Sequence, residues 1–430
     1  MPLESIAETV ADQIRRQEFV EVYAHHDADG IAAGSILCHA MERAGIRFRL
    51  RIQQEVNPAE LKGDAGHLLC DLGAGIADLP AETMVVDHHL PKFEGTFHAN
   101  PRLAGIDGDR ELSAAGMAYI VAQKMGDNRD LSGLVIPGII GDGQEITGKN
   151  LAIFNDGITD GIIVPDRGLT LPGRDMTERW YTAISPYLDG ISGGEQLIAD
   201  LIEQAQDQAK GENTSRLDIL LSRVVLEAAP NTTRASIDMI YGDTYHLQRE
   251  VIEDAHALTA VIDACGKTGR GDIGATLCLR SSQYLDQAWE IARQHRMNVI
   301  DAIRNLHPAE GPVGVYEVQD ITLASDVADI LARDLINMWP VLVYARTGDS
   351  CKISARCPAG IVRELGPLVT TLAAACGGNG GGHIRRAGAT IPCGKMGAFT
   401  KGWQEELASL CRSMAGSRPC TGMQNVLPPH

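Results

Sequence analysis

Aromatic side chains are scarce, at 4% of 430 residues, so buried cores must rest on Ala, Leu, Ile and Val. Positive charge is also short: 56 Asp and Glu against 38 Lys and Arg leave a formal charge of −18. That excludes a uniformly basic surface. A polyanionic partner must then be attracted locally, by metal ions or a small cluster of Arg and Lys. None of the ten cysteines stands in a C-x-x-C pair, so no structural zinc site is expected, and the thiols read as reduced small hydrophobes. No apolar run approaches the roughly 18 residues of a membrane span, and the opening MPLESIAETVADQIRRQEF carries no apolar signal core. The expectation is a soluble, cytoplasmic protein of two or three domains.

What is present is a repeated pattern. Ile6, Val10 and Ile14 recur every four residues, which predicts an amphipathic first helix. FVEVYA (19–24) then runs into HHDADG. HLLCDLG (67–73), MVVDHH (84–89) and LVIPGIIGD (134–142) are likewise apolar runs closed by carboxylate or imidazole. Parallel strands buried on both faces read as such runs, and ligands of open α/β sheets gather at strand C-terminal ends. The spacing predicts an α/β domain with a parallel sheet over 1–165, a helical connector or insertion over 166–250, a smaller α/β unit over 251–415 and a mobile tail over 416–430. TYHLQREVIEDAHALTAVIDA is counted with the helices.

The strand ends carry the chemistry. His25, Asp27 and Asp29 alternate, which in an extended segment puts them on one face. Asp71 closes the second run, Asp87, His88 and His89 the third, and Asp142 the fourth. Such oxygen and nitrogen donors suit hard or borderline divalent cations. Six or more exceed the needs of one ion and fit two sharing a bridging carboxylate. Without counter-charge, carboxylates clustered in this way are costly. A cation pair roughly 3.5–4 Å apart implies hydrolysis of a phosphoester or phosphoanhydride.

HHDADG, CDLG, VVDHH and GIIGD together resemble the four motifs of the DHH phosphoesterase superfamily. GGNGGGHIRRAGATI resembles the signature of the DHH-associated C-terminal domain. Within the superfamily the chain is most similar to archaeal RecJ-like nucleases of the GINS-associated type, through HHDADG, NPRLAG leading into SAAGMAYIVAQK, and DACGKTGRGDIG (263–274). The resemblance implies an N-terminal DHH domain, a DHH-associated substrate-binding domain, and two divalent cations, manganese in most of the family with magnesium as a substitute. It implies that His25, Asp27 and Asp71 hold one ion, that Asp29, Asp71, His88 and Asp142 hold the other, and that Asp71 bridges. His89 would contact phosphate and Asp87 would orient a neighbouring imidazole. The chain departs from bacterial RecJ in carrying His25 where that protein has Asp. It departs again in carrying Arg385 and Arg386 where small residues are common.

Glycine fills five of the six positions from Gly377 to Gly382, which suits close approach of backbone amides to an anion. With Lys352, Ser354, Arg356, Gly380, Gly381, Gly382, His383 and Arg386 this segment is the expected substrate-binding surface. Lys267 and Arg270 on the glycine-rich turn of DACGKTGRGDIG read as a nucleic-acid contact, and the turn lacks the Walker A pattern. The expected activity is a metal-dependent exonuclease on single-stranded DNA or RNA. The alternatives are a phosphodiesterase of short oligoribonucleotides or cyclic dinucleotides, and a replisome scaffold with GINS-type partners and secondary nuclease activity.

Overall fold

The computed structural model describes residues 2–63, 65–209, 215–306, 314–335, 339–358, 361, 364–382 and 384–415, with side chains to 408. Two compact units divide the chain, Met1–Pro172 with Gly242–Gln294 and Gly173–Tyr241 with His295–His430. The backbone therefore passes from one to the other three times.

The first unit is built on a parallel sheet. Helix α1 (Leu3–Arg15) buries Ile6, Val10 and Ile14. Strand β1 (Phe19–His25) follows, then α2 (Ala28–Arg43) and β2 (Arg47–Gln53). Strands β3 (Gly66–Cys70), β4 (Met84–Val86) and the short β5 (His98–Ala99) complete the order β2-β1-β3-β4-β5, with every pairing parallel. Strand order reverses between β1 and β3, and there the loops leaving the two C-terminal ends diverge and open a crevice. Helices α3 (Ala114–Met125) and α4 (Val135–Gly141) pack beside α2, and a two-stranded sheet of β6 (Ile163–Leu169) and β7 (Tyr241–Leu247) lies apart from the main sheet. Helices α5 (Ala255–Lys267) and α6 (Gly271–Cys278) close the same core, with Leu258, Ile262, Ile273 and Leu277 buried among Ile31, Ile36 and Met41.

Three sequence expectations change here. LVIPGIIGD is a helix and not a strand, because a short buried apolar run satisfies either period and Pro137 falls in the first turn of α4, where its missing N–H has no carbonyl to reach. Tyr241–Leu247 is a strand, while helix begins only at Ala255 behind the Asp254 cap. Residues 251–294 belong with the first unit, and the helices of 173–241 group with the second. The glycines of DACGKTGRGDIG explain part of this: a Cβ at Gly266 would lie 1.5 Å from the His26 carbonyl oxygen, so glycine lets α5 touch the loop after β1. Lys267 is paired with Asp263 at 2.7 Å and Arg270 with Asp272 at 3.2 Å.

The second unit carries a mixed sheet ordered β11-β12-β10-β9-β8. Its strands are β8 (Val315–Glu317), β9 (Val341–Thr347), β10 (Ser350–Arg356), β11 (Asn379–Gly382) and β12 (Arg386–Pro392). Helix α7 (Ala324–Asp329) belongs to the cluster that buries Val341, Val343 and Ala345 on one face. Helices α8 (Leu365–Ala375) and α9 (Met396–Ala415) cover the other, burying Leu342, Ile353 and Ile391 with Phe399 and Trp403. The glycine run is thus an edge strand paired with β12. His383 and the tail 416–430 lie outside the described residues.

Candidate metal centre

His25 is the last residue of β1, and the chain turns at once into α2. Asp27 caps that helix, its Oδ1 accepting from Gly30 N at 3.0 Å. Asp29 sits in the first helical turn. The expected alternation on an extended segment therefore does not occur, since only His25 is in a strand. The residues converge anyway, because the helix start folds Asp27 back towards the strand: His25 Nδ1 lies 2.8 Å from Asp27 Oδ2 and 3.2 Å from Asp71 Oδ2.

Asp71 follows β3 with φ of +58°, a left-handed conformation that Asp tolerates better than most side chains. Its N–H donates to Val86 O at 2.8 Å, tying the turn to β4. Its carboxylate is buried, and Oδ1 accepts no hydrogen bond among the described residues, although His88 Nε2 and His89 Nδ1 each approach to 3.4 Å. An ionised oxygen left this way is costly unless a cation completes it.

His88 is held from behind. Its Nδ1 lies 2.6 Å from Gly108 O, and its Nε2 faces Asp71 Oδ1 at 3.4 Å, Asp29 Oδ2 at 3.8 Å and Asp142 Oδ2 at 3.2 Å. Burial works against a charged imidazole, but these carboxylates outweigh it and raise the His88 pKa well above the ordinary value. Asp87 does not enter the cage. Its Oδ1 accepts from His88 N at 2.7 Å, His89 N at 3.0 Å and His89 Nδ1 at 2.8 Å, and its Oδ2 from Ala74 N at 2.9 Å. Asp142 is the C-cap of α4.

Asp29 is fastened to a helix start as well. Its two oxygens accept from Ala114 N and Ala115 N, each at 2.8 Å, in the first turn of α3. Helix α4 passes so close that a Cβ on Gly138 would lie 2.2 Å from Asp29 Oδ1. Behind the donors stand Asn100 and Arg102, which belong to NPRLAG, and Gln144, two residues beyond Asp142; the sequence assigns none of the three a role. Gln144 Nε2 donates to Gly108 O at 2.9 Å, Asn100 Nδ2 to His89 O at 2.9 Å, and Arg102 Nε to His88 O at 2.8 Å. The available signal was the NPRLAG motif itself and the position of Gln144 just after GIIGD.

Asp29, Asp71 and His88 form a buried floor with Asp87 buried behind it, while His25, Asp27, His89 and Asp142 make a solvent-reaching rim. The electrostatics show the lack of compensation. Burial, with the charges of Asp142 and Asp71 adding, pushes the Asp29 carboxyl well above the usual range. Burial also pushes Asp142 up to about 6, with Asp27 and Asp71 reinforcing it and His88 opposing. Burial works against a charged His89, but the Asp87 carboxylate overrides it and raises the imidazole to about 9. Asp87 is held far below the ordinary carboxylate range, as His89 and His88 outweigh its burial. Three donor groups lie within coordination reach: His25, Asp27 and Asp71; Asp29, His88 and Asp142; and Asp71, His88 and His89. The donors fit divalent cations by chemistry and by the unpartnered Asp71 oxygen.

The expected substrate-binding residues of the second unit are arranged differently. Lys352, Ser354 and Arg356 alternate on the more open face of β10, opposite Thr390, Gly388 and Arg386 of β12. Arg356 is already paired: its Nε donates to Asp329 Oδ1 at 2.7 Å, and Arg386 Nε stands 3.7 Å from the same oxygen. Gly381, opposite Gly388, leaves the edge of this face bare.

Comparison with known proteins agrees with this architecture. Residues 311–409 match the DHHA1 domain family. An uncharacterized protein of Methanocaldococcus jannaschii is 26% identical over 435 residues, covering 93% of this chain and 96% of that protein. The fold is similar to that of RecJ from Thermus thermophilus, solved with Mn2+, with a TM-score of 0.61 at 17% identity. That match covers 95% of this chain, which spans about half, 55%, of the RecJ chain. CDC45 from Entamoeba histolytica gives a TM-score of 0.58 at 12% identity, covering 94% of this chain and 98% of that one. No helix among the described residues is long and apolar enough to cross a membrane. Residues 311–409 are thus similar to the DHHA1 domain family, and the chain as a whole has a fold similar to that of RecJ, with the Asp87-His88-His89 triplet standing directly after β4.

Proposed function

We propose that the protein is a metal-dependent phosphodiesterase, a RecJ-like exonuclease that hydrolyses single-stranded DNA or RNA to mononucleotides. The observation that carries this is the buried Asp71 carboxylate, with one oxygen unpartnered where the donor groups meet. His25, Asp27 and Asp71 would hold one cation; Asp29, Asp71, His88 and Asp142 would hold the second; manganese is the proposed ion, with magnesium as its substitute. When bound, such a pair binds phosphate oxygens, acidifies a water and stabilises the leaving oxygen.

The protein's own groups position and shield. With a cation bound, the Gly108 carbonyl would hold His88 as the Nδ1–H tautomer and leave Nε2 to ligate. Asp87 keeps His89 oriented and charged at the rim, where an imidazolium attracts a phosphate oxygen. The α3 amides fix Asp29 without neutralising it. Lys352, Ser354, the strip at Gly380, Gly381 and Gly382, and His383 are the proposed substrate contacts of the second unit. Arg356 and Arg386, both drawn to Asp329, would join them through the N–H groups that Asp329 does not take. Retention of every donor position favours an enzyme over a scaffold, and contact with GINS-type replisome proteins would be an additional role.

The test is a product ladder from single-stranded DNA and RNA labelled at each end in turn, with manganese. Mononucleotide release that Asp71→Ala abolishes supports the proposal, and full activity of that variant refutes it. Preference for two-to-five-mers would favour the short-oligonucleotide reading.

A further inference from the structure

The acidic chain needs a local cationic patch to approach a polyanion, and β2 supplies one. Its sequence RFRLRIQ alternates strictly, so Phe48, Leu50 and Ile52 pack on the core while Arg47, Arg49 and Arg51 project from the opposite face and are exposed. β2 is the edge of the parallel sheet. Pairing with β1 places Arg47 opposite Phe19, Arg49 opposite Glu21, Arg51 opposite Tyr23 and Gln53 opposite His25. The row therefore points along the strand direction at a cage residue. At ~3.3 Å per residue, the guanidinium-bearing positions repeat every ~6.6 Å and begin ~6.6 Å short of the His25 level.

Charged side chains on an edge strand also prevent stray strand pairing, but that purpose needs no alignment with the metal centre. The carboxylates facing the row are few. Glu21 accepts from Arg49 Nε at 2.8 Å and from Arg51 Nε at 3.3 Å, and Glu60 acts on the neighbouring Tyr23. Arg47 makes no hydrogen bond or ion pair among the described residues. Arg49 and Arg51 are held upright by Glu21 with donors to spare, since one guanidinium carries five N–H groups.

We infer that Arg47, Arg49 and Arg51 form a phosphate track that holds the single strand over about one to three nucleotides beyond the His25 level. This deepens the proposed nuclease reading and rests on it. A row repeating every ~6.6 Å suits an unstacked strand, whose phosphates lie farther apart than the ~3.4 Å rise of a stacked one. The consequence is a substrate class: polymers long enough to span cage and row, over dinucleotides that fill the cage alone.

The test compares the full-length protein with Arg47→Glu and with Arg47→Glu/Arg51→Glu, which leaves Arg49 to pair with Glu21. Binding of a fluorescent ~20-nucleotide single strand, DNA and RNA in separate arms, is measured by anisotropy in EDTA across a salt series. Manganese-dependent cleavage of the same strand and of a dinucleotide is measured alongside, with thermal melts to verify folding. The expected result is a loss of affinity of about 3-fold for the single and over 10-fold for the double variant. The salt slope should shrink by ~0.7 for each phosphate no longer neutralised, while dinucleotide cleavage holds. Strand affinity within twofold of the unmodified protein in both variants overturns the track. So does a parallel fall in dinucleotide cleavage, or a failure of the unmodified protein to bind either strand. Absence of any cleavage with binding and its arginine dependence intact would instead count against the nuclease reading alone. Arg47→Glu breaks no hydrogen bond or ion pair and decides the matter if the double variant misfolds.

Discussion

Each unit gathers charged side chains on one side of a β-sheet, yet the two clusters are wired oppositely. In the first unit, Asp27, Asp29, Asp71 and Asp142 share three imidazoles, those of His25, His88 and His89. Backbone amides and histidines orient them, and one buried oxygen stays unpartnered. In the second, Arg356 and Arg386 converge on Asp329, and burial of that carboxyl is outweighed by their charge, so its pKa falls below the usual range. One cluster reaches solvent and could hold a cation. The other is closed by its own chain. An enzyme of phosphate chemistry needs the first arrangement, while a folding scaffold tolerates only the second.

The sharpest way to break this contrast is to remove the shared carboxylate. Asp71→Ala should cost at least ~10³-fold in manganese-dependent mononucleotide release, read as initial rates, with the circular dichroism spectrum retained. Next comes the orienting layer. Asp87→Asn keeps the shape but removes the charge behind His89, and a 10–100-fold loss in manganese affinity or turnover is expected, measured by calorimetric titration. Gly138→Ala should weaken manganese binding by ~10-fold and lower the melting temperature, because the added methyl meets Asp29 Oδ1. An unchanged titration would show that α4 can retreat without disturbing the floor.

The smallest effect belongs to the closed cluster. Asp329→Asn should cost ~1–3 kcal/mol at neutral pH and leave dinucleotide cleavage intact. Since the folded-state pKa is depressed, the carboxylate's contribution is present above about pH 4 and fades as the pH falls below that. Denaturant melts of wild type and variant should accordingly differ most at neutral pH and converge in acid.

Much of the cage was legible because parallel strands buried on both faces read as apolar runs, and β1, β3 and β4 each end where their run meets a carboxylate or imidazole. The run before Asp142 carries the same composition and forms a helix, since four to eight apolar residues do not reveal their period. The donor was visible there and its mounting was not. The groups that hold the cage from behind are main-chain atoms, namely Gly108 O and the amides of Ala114 and Ala115, and backbone atoms leave no residue signature. The pairing of Arg356 with Asp329 joins positions 27 apart in sequence, and the attachment of α5 and α6 to the first unit is equally non-local. Both depend on tertiary packing that a linear pattern does not encode. The β2 row, by contrast, was written openly as alternating Arg, but it gains meaning only from the register that aligns it with His25.

The left-handed backbone at Asp71 restricts what evolution or an experimenter can put there. Alanine at φ of +58° adds roughly 1 kcal/mol of conformational penalty to its chemical deficit, whereas asparagine and glycine adopt that geometry with ease. A well-folded variant that lacks the Asp71 charge is therefore most accessible through a single change to Asn.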